Sequence, residues 1–405
     1  MQSDSPYDWP NPSYDPAAAL GWKGAANQGW KGFKDVVVDQ NGQPIWAYAI
    51  HSLADTPLAE RGYVTTVLGW PRHVTLGGFS DDGLQFKVDA ERPWLDPGSD
   101  TAGDILWNEQ AGLFQLFVRP IYTDRRVAIS VTEDFEEFSR PTTVLQPDSL
   151  DRVGAEFYDM PARPYEGMFI GLLHVFSTDR FEEVSDVSPR WPHLKYFGRI
   201  ETELTYSYNG SYWYRTARDA PFMPIRPYGL QGGGTVYGME MLRTTEDKLL
   251  FYAQATKGGH ADFLEMREAG LDYSGDSNPL LYEMRLDGFC SLKTWGRDGV
   301  MRTKVLVPKD GEISLNVRTM AHSHVRVQML DGITAQPIAG YTWDEALPVS
   351  GDHLFARPRW QERSDISELI DRPVRIEIAM REAELFAIRN ECEAFYACEP
   401  LPTLW

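Results

Sequence analysis

The chain has 405 residues and carries 39 Lys and Arg against 59 Asp and Glu, which gives a formal net charge of -20 at pH 7. An acidic excess of this size repels nucleic-acid phosphates and anionic membranes, so neither is expected as a partner and a neutral or cationic ligand is favoured. The length predicts two domains, or one large closed β-fold with an appendage. No stretch approaches the roughly 18 consecutive apolar residues of a membrane-spanning helix.

Three cysteines, Cys290, Cys392 and Cys398, are too few for a disulfide-dense scaffold or a Cys-rich metal site. A bridge between Cys392 and Cys398 is left open, with Cys290 expected as a buried thiol. The N-terminal residues lack the basic and apolar segments of a signal peptide. Two explanations fit this absence. We expect a secreted or periplasmic protein whose signal has been removed, and the alternative is a cytoplasmic protein.

Most of the chain reads as β-structure. Residues 1–29 are rich in Pro, Asp, Asn and Gly and predict an extended arm. Helical periodicity is nearly absent before residue 380, and short apolar runs predict an all-β body. The predicted strands are Val36–Asp39, Ile45–Ile50, Tyr63–Gly69, His73–Phe79, Phe114–Val118, Val127–Val131, Met168–Phe176, Ile200–Tyr208, Leu249–Ala255 and Leu280–Leu286.

Two local signals predict tight turns. Asn41-Gly42 lies between two apolar runs and indicates a β-hairpin. The pattern S-x-[DN]-G-x-x-aromatic occurs at Ser80–Phe86 and Ser207–Trp213, with a looser copy at Thr132–Phe138. In each copy an Asp or Asn side chain can accept backbone hydrogen bonds and a Gly can take a positive φ, so we interpret these motifs as structural turns.

Acidic residues recur about ten positions before aromatic-rich strands, at Asp35, Asp104, Glu156 and Glu240. If each unit is a blade of a β-propeller, these acids lie at the start of the innermost strands and face one central channel. Chance is the competing explanation, because acids make up about one residue in seven. The pattern predicts a carboxylate-lined site.

The last hundred residues have a different pattern of apolar and polar residues. Ile313–Val317, Val325–Leu330 and Val374–Ile378 alternate cleanly between apolar and polar residues, which is typical of a β-sandwich. We therefore predict an arm (1–29), a propeller catalytic domain (30–295), a β-sandwich (296–390) and a short tail (391–405).

The order of parts resembles the five-bladed β-propeller glycoside hydrolases of the family 32 and 43 types, which include invertases, fructanases, arabinanases and xylosidases. The likeness lies in Lys34–Val36 followed by Trp46–Tyr48, and it covers most of residues 30–390. The tracts Glu156–Met168 and Leu286–Phe289 resemble a poorly characterised bacterial subgroup with a C-terminal β-sandwich. The invertase signatures W-M-N-D-P-N-G, R-D-P and E-C-P are absent, and only four blades are legible in the sequence.

The resemblance implies roles for the acids. Asp35 would be the nucleophile or base, Glu240 or Glu156 the general acid, and Asp104 a third acid that orients the sugar or tunes its neighbours. Glycoside hydrolysis needs such a pair of carboxyl groups across the scissile bond. Further substrate-binding candidates, each with a structural alternative, are Arg72, His73, Trp107, Arg119, Tyr158, Arg226 and His260. No metal-ligand spacing, P-loop or dinucleotide fingerprint occurs, so no metal or cofactor is expected.

These observations predict a glycoside hydrolase that cleaves a polysaccharide or oligosaccharide, with furanose-containing glycans included. One alternative is a non-catalytic carbohydrate-binding propeller. Another is a sialidase-like or lyase-like propeller, because the Ser-x-Asp turns resemble sialidase Asp-boxes. That alternative requires three arginines that converge on a carboxylate, with a Tyr or His near them. The expected partner is a carbohydrate, and the sequence is compatible with a homo-oligomer.

Overall fold

The computed structural model of the chain describes residues 37–43, 45, 47–69, 74–99, 103–120, 124–178, 197–218, 220–260, 262 and 277–394. Nearly all regular structure in these ranges is β-strand. The chain divides into two compact units, one formed by Met1–Leu242 with Leu250–Tyr282 and the other by Arg243–Leu249 with Glu283–Trp405. No helix among the described residues is long and apolar enough to cross a membrane.

The first unit is a series of mainly antiparallel sheets. The first sheet has the order β1-β5-β4-β3-β2, and the second follows chain order from β6 to β9. The strands are β1 (Val38–Asp39), β2 (Ala47–Ser52), β3 (Tyr63–Gly69), β4 (Val74–Ser80), β5 (Gln85–Val88), β6 (Asp104–Asn108), β7 (Leu113–Val118), β8 (Val127–Thr132) and β9 (Thr142–Leu145).

The third sheet contains eight strands, in the order β10-β12-β13-β15-β16-β17 with β11 on β12 and β14 on β13. They are β10 (Ala155–Asp159), β11 (Ala162–Tyr165), β12 (Met168–Thr178), β13 (Gly198–Ser207), β14 (Tyr214–Arg215), β15 (Thr235–Arg243), β16 (Lys248–Thr256) and β17 (Ser277–Arg285). Strands β13 and β15 are parallel and share a single register pair, Ile200 with Thr235. This link divides the sheet into two groups of strands.

Successive sheets pack face to face through apolar cores. Leu53, which directly follows β2, and Val64 of β3 share a buried cluster with Phe114 of the second sheet. Phe117, also in the second sheet, packs in another cluster with Phe157 of the third. Face-to-face sheets that follow one another along the chain are the architecture of a β-propeller, so the predicted fold class is confirmed. The number of five blades remains a prediction.

The Asn41-Gly42 segment forms a turn, in which the Gly42 N–H donates to the Asp39 carbonyl at 3.0 Å. Beyond this turn β1 pairs in parallel with β5 and β2 pairs with β3, so the described sheet contains the predicted turn but no ladder between β1 and β2.

The Ser-x-Asp turns have the expected geometry. Ser80 Oγ accepts a hydrogen bond from the Gly83 N–H (2.9 Å), and Asp82 Oδ1 accepts one from Leu84 (2.8 Å). The Ser207 copy repeats these two distances within about 0.1 Å, at 2.9 Å each. In the looser copy Phe135 occupies the Gly position and takes a φ of 65°. These motifs are structural turns, as interpreted from the sequence.

The second unit contains one seven-stranded sheet built on two long strands. Its order is β22-β21-β23-β20-β24, and β18 and β19 also pair with β23. The strands are β18 (Leu292–Lys293), β19 (Asp298–Arg302), β20 (Leu306–Pro308), β21 (Ser314–Asp331), β22 (Asp352–Ala356), β23 (Val374–Arg389) and β24 (Cys392–Ala394).

The strands of the second unit enclose an apolar core that includes Val327, Trp360 and Ile376, an arrangement consistent with the predicted β-sandwich. The expectation of a buried thiol at Cys290 is wrong, because that residue is exposed. Cys392 is a free thiol, which does not support its pairing with Cys398; Cys398 itself lies outside the described residues.

Candidate active site

A cavity of about 180 Å³ lies in the first unit, where strands of all three sheets converge. Strand β2 contributes Ala49 and Ile50, and β6 contributes its first residue. The rest come from β10, β11, β15 and the connection between β10 and β11. The lining residues are Ala49, Ile50, Asp104, Asp159, Pro161, Arg163, Met239 and Glu240. Four of the eight are ionisable, so the cavity is suited to polar chemistry.

Arg163 joins two of the carboxylates in this cavity. Its Nε and Nη2 donate to the two Glu240 oxygens at 2.6 and 2.7 Å, and its Nη1 donates to Asp104 Oδ2 at 2.7 Å. Burial alone would lower the pKa of Arg163, but the two carboxylates outweigh it and raise that pKa. The arginine therefore remains charged and holds both acids in fixed positions.

Asp104 is only 2% exposed, yet it is ionised. Burial alone would raise its pKa, but Arg163, His51 and the N–H of Ala162 outweigh this and lower the pKa to about 2. The Ala162 N–H donates to Asp104 Oδ2 at 2.8 Å. The acid is therefore a fixed anion throughout the neutral pH range.

His51 approaches both Asp104 and the backbone of the next residue. Its Nε2 lies 3.1 Å from Asp104 Oδ1 and 3.3 Å from the Ile105 nitrogen. Nε2 donates to the carboxylate in the tautomer that places the proton on it, and it accepts from the backbone in the other tautomer. It therefore serves only one of the two contacts. Donation to Asp104 is favoured, because Oδ1 is otherwise a buried oxygen without a hydrogen bond.

The pKa of Asp159 is shifted in the opposite direction to that of Asp104. Burial, together with the negative charge of Asp104, raises its pKa to about 8, although the Met160 N–H and Arg119 act against this. Its Oδ1 accepts the Met160 N–H at 2.8 Å. No basic side chain forms an ion pair with Asp159 within the described part of the chain. Asp159 is therefore a neutral carboxylic acid at pH 7.

A β-bulge places Asp159 at this position. Phe157 pairs with Val175, but Asp159 pairs with the adjacent His174, so the register shifts between the two residues of β10. A bulge of this kind re-aims side chains and is common next to active sites. His174 itself is buried, and burial lowers its pKa to about 4 despite the Gly238 carbonyl. The ring is therefore neutral.

Glu240 is the most accessible of the three carboxyl groups. Its side chain is 35% exposed, against 3% for that of Asp104. Besides Arg163, the Met241 N–H donates to Glu240 Oε1 at 2.9 Å. Of the charged groups that line the cavity, Glu240 is thus the one with most contact with solvent.

The cavity contains two of the four acids in the sequence series, Asp104 and Glu240. Glu156 is buried and forms an ion pair with Arg125, and it is not among the lining residues. Asp35 lies outside the described residues, as do Arg72 and His73. Glu240 lines this cavity and Glu156 does not, so the lining does not support the predicted convergence of the two acids.

The remaining candidates fall into two groups. Arg119, Tyr158 and His260 form one cluster: the Arg119 Cζ lies 4.3 Å from the centre of the Tyr158 ring, and the Tyr158 hydroxyl lies 3.1 Å from His260 Nε2. Trp107 packs against Phe114 with ring centres 4.6 Å apart, so it belongs to the core between sheets. Arg226 is exposed in a loop.

Sequence reasoning missed Asp159, Arg163 and His51. Asp159 and Arg163 both lie in the tract Glu156–Met168, which carries part of the family resemblance. The ten-residue spacing selected Glu156, three positions before the acid that lines the cavity.

No protein-family model and no curated protein matches the sequence. Among solved structures, the chain is similar to a glycoside hydrolase family 43 arabinoxylan arabinofuranohydrolase from Bacillus subtilis at 10% identity and a TM-score of 0.37, covering 87% of this chain and 83% of that one. It is also similar to a GH32 beta-fructofuranosidase from Bombyx mori, at 10% identity and a TM-score of 0.36, with coverages of 81% and 77%. A beta-1,2-mannobiose phosphorylase from Listeria innocua has 14% identity, a TM-score of 0.34 and coverages of 76% and 67%. Likenesses this distant assign no activity to the chain.

Proposed function

We propose that this protein is a glycoside hydrolase in which Asp159 is the general acid. The observation that carries the proposal is that one cavity holds a protonated carboxyl group, Asp159, and an ionised carboxylate, Asp104. Glycosidic bond cleavage requires that combination, because the leaving oxygen must receive a proton while a carboxylate acts on the sugar or on water. Asp159 has the proton to give at neutral pH.

The second carboxylate is Asp35 in this proposal, as the sequence resemblance implies. Glu240 is the candidate within the described residues, since it is the most exposed carboxyl group of the cavity. Substitution of each residue separates the two. The one that acts as nucleophile or base loses turnover when it is replaced by its amide.

Asp104 and Arg163 have supporting roles. Asp104 is buried, with Oδ2 bound by Arg163 and the Ala162 N–H and Oδ1 beside His51, so it is poorly placed to attack a sugar. Its negative charge helps to keep Asp159 protonated, because two adjacent carboxylates resist ionising together. Arg163 fixes Glu240 by two parallel hydrogen bonds.

The sialidase-like alternative is disfavoured. It requires three arginines that converge on a carboxylate ligand, whereas Arg163 is the one arginine among the residues that line this cavity. The guanidinium N–H groups of Arg163 already bind Asp104 and Glu240. An uncharged glycan therefore fits better than an acidic one.

The test is reducing-sugar release from soluble inulin, levan, arabinan and xylan by the purified wild type and by Asp159→Asn. Exposed Asp55 offers a matched control as Asp55→Asn. We expect turnover of at least one polymer by the wild type and by the control, with a loss of about 10²-fold or more in Asp159→Asn. Binding of a polymer without turnover in any form would support the non-catalytic alternative.

A further inference from the structure

A second and larger cavity, of about 690 Å³, lies elsewhere in the first unit. We call it the peripheral cleft and define it by Arg61, Phe79, Gln85, Lys87, Arg92 and Trp94, which are among its lining residues. Its volume is within the range of roughly 300–1,000 Å³ that is typical of ligand sites. The proposed active site does not account for it.

Strand register places the two cavities at opposite ends of the second sheet. Asp104, the first residue of β6, pairs with Phe117, whereas Phe114 at the other end of β7 pairs with Thr132, the last residue of β8. Phe135, which follows Thr132 in the turn, lines the peripheral cleft. The cleft therefore lies at the other end of this sheet from Asp104, and none of the proposed catalytic groups within the described residues is among its lining residues.

The cleft has a rigid aromatic wall. The Trp94 ring stacks against Phe135 with centres 5.1 Å apart and planes 29° apart, and against Phe138 at the same distance. Trp94 also lies directly over Gly77, where a Cβ atom would overlap the indole ring. This packing fixes the tryptophan, so a ligand in the cleft meets an ordered apolar edge of the indole ring.

The basic and acidic side chains that line the cleft are nearly equal in number. The lining contains three basic and four acidic side chains. Arg92 is already close to Glu136, at 3.4 Å, and Asp82 accepts the N–H groups of Leu84 and Gln85. A site of this kind offers many donors and acceptors but little net field, which favours a neutral, polyhydroxylated ligand over an ion.

We propose that the peripheral cleft is a second binding site, for an uncharged oligosaccharide segment. Gln85, Lys87 and Arg92 are exposed and supply hydrogen bonds to hydroxyl groups, while Trp94 supplies the apolar surface. A site remote from the cavity holds a polymer on the protein without taking part in bond cleavage. The ligand class follows from the cleft itself and does not depend on the proposed hydrolysis.

The test is affinity electrophoresis in native gels that contain inulin, levan, arabinan or xylan, with Asp159→Asn as the background so that no polymer is degraded. In this background the triple variant Gln85→Ala/Lys87→Ala/Arg92→Ala removes the exposed polar wall. Exposed Arg297 and Lys304, in the other unit, give a double alanine control with the same change in charge. We expect retardation by at least one polymer, with at least a tenfold weaker apparent affinity in the triple variant only.

Three outcomes would overturn the proposal: no retardation by any polymer, equal retardation of the triple variant, or retardation that disappears at about 0.5 M salt, where a charged ligand would be screened. Failure of the hydrolase proposal has a different signature, namely retardation by a polymer that the wild type does not degrade. The triple variant in the wild-type background should still hydrolyse a small chromogenic glycoside at an unchanged rate.

Discussion

Asp159 and Asp104 line the same cavity, and at neutral pH one is a neutral acid while the other is an anion. Both are buried, so burial alone would raise both pKa values. Arg163 forms an ion pair with Asp104 but not with Asp159, and this difference separates them. The Asp104 charge then strengthens the protonation of Asp159. The pair thus provides a proton donor next to a fixed negative charge.

The first prediction concerns the pH dependence of activity. The pKa of Asp159 is raised to about 8, so kcat/KM should fall as pH rises through about 8, where the general acid loses its proton. The measurement is a pH profile of kcat/KM between about pH 5 and pH 10, on the polysaccharide that is hydrolysed fastest. An alkaline limb that lies below about pH 6 would contradict the assignment.

Leaving-group dependence provides a check on the same residue. Asp159→Ala should lose about 10²–10⁴-fold in turnover of a substrate with a sugar leaving group, because that oxygen needs a proton. A dinitrophenyl glycoside needs none, so its turnover should fall much less and should lack the alkaline limb. Equal losses on both substrates would show that Asp159 does not donate the proton.

The second prediction concerns stability. The pKa of Asp159 rises from 3.8 to about 8 on folding, so its contribution is fully present below about pH 4 and is lost as pH rises toward 8. Asp159→Asn has no proton to lose. The free energy of unfolding of the wild type should therefore decline relative to the variant by about 1.4 kcal/mol per pH unit between pH 5 and 7.

Urea unfolding at pH 5, 6 and 7 measures that difference, and Asp55→Asn is the matched control for an exposed acid. Parallel pH profiles of the wild type and Asp159→Asn would mean that Asp159 is already ionised at pH 5. The general-acid role would then fail on grounds independent of activity.

Most of the fold was predictable, because its signals are local. The Tyr63–Gly69 strand was predicted with the bounds that it has, and the Ser80 and Ser207 turns follow from short motifs. Such features depend on neighbouring side chains and on backbone sterics. The second unit was recognised from alternation, which directly reports one buried face.

The site was only half predictable, because a bulge is not a local signal. A regular spacing identified Asp104 and Glu240 but selected Glu156 in the third sheet. The register shift after Phe157 brings Asp159 to the cavity instead, and it depends on pairing with β12. The role of Arg163 depends on the convergence of β6, β11 and β15. Arg163 and Glu240, for example, are 77 positions apart in the sequence, so no local pattern indicates their contact.

The third prediction concerns Arg163. Replacement by Ala leaves Asp104 buried without its charged partner, which should destabilise the protein by roughly 3–5 kcal/mol at pH 7. The pKa of Asp104 is lowered to about 2 in the wild type, so its stabilising contribution is present above 3.8 and lost as pH falls toward 2. Without Arg163, burial raises the pKa of Asp104, so the deficit of Arg163→Ala should shrink as pH falls from that raised pKa toward about 2.

The double variant Asp104→Asn/Arg163→Ala tests the coupling between the two. It should be more stable than the sum of the single changes predicts, because the unpaired charge is gone. Urea unfolding of all four proteins gives the coupling free energy. Additive effects within about 0.5 kcal/mol would mean that the ion pair does not determine the state of Asp104.

The fourth prediction distinguishes Glu156 from Asp159. Glu156 forms a buried ion pair with Arg125, whose Cζ also lies 5.0 Å from the centre of the Phe176 ring. Glu156→Gln should therefore lower the free energy of unfolding by about 1–3 kcal/mol, because a charged hydrogen bond is lost from the interior. Turnover of a small glycoside should stay close to that of the wild type, since Glu156 does not line the cavity. If turnover instead falls by about 10²-fold or more while stability is unchanged, Glu156 returns to the catalytic role that the acidic spacing in the sequence implies.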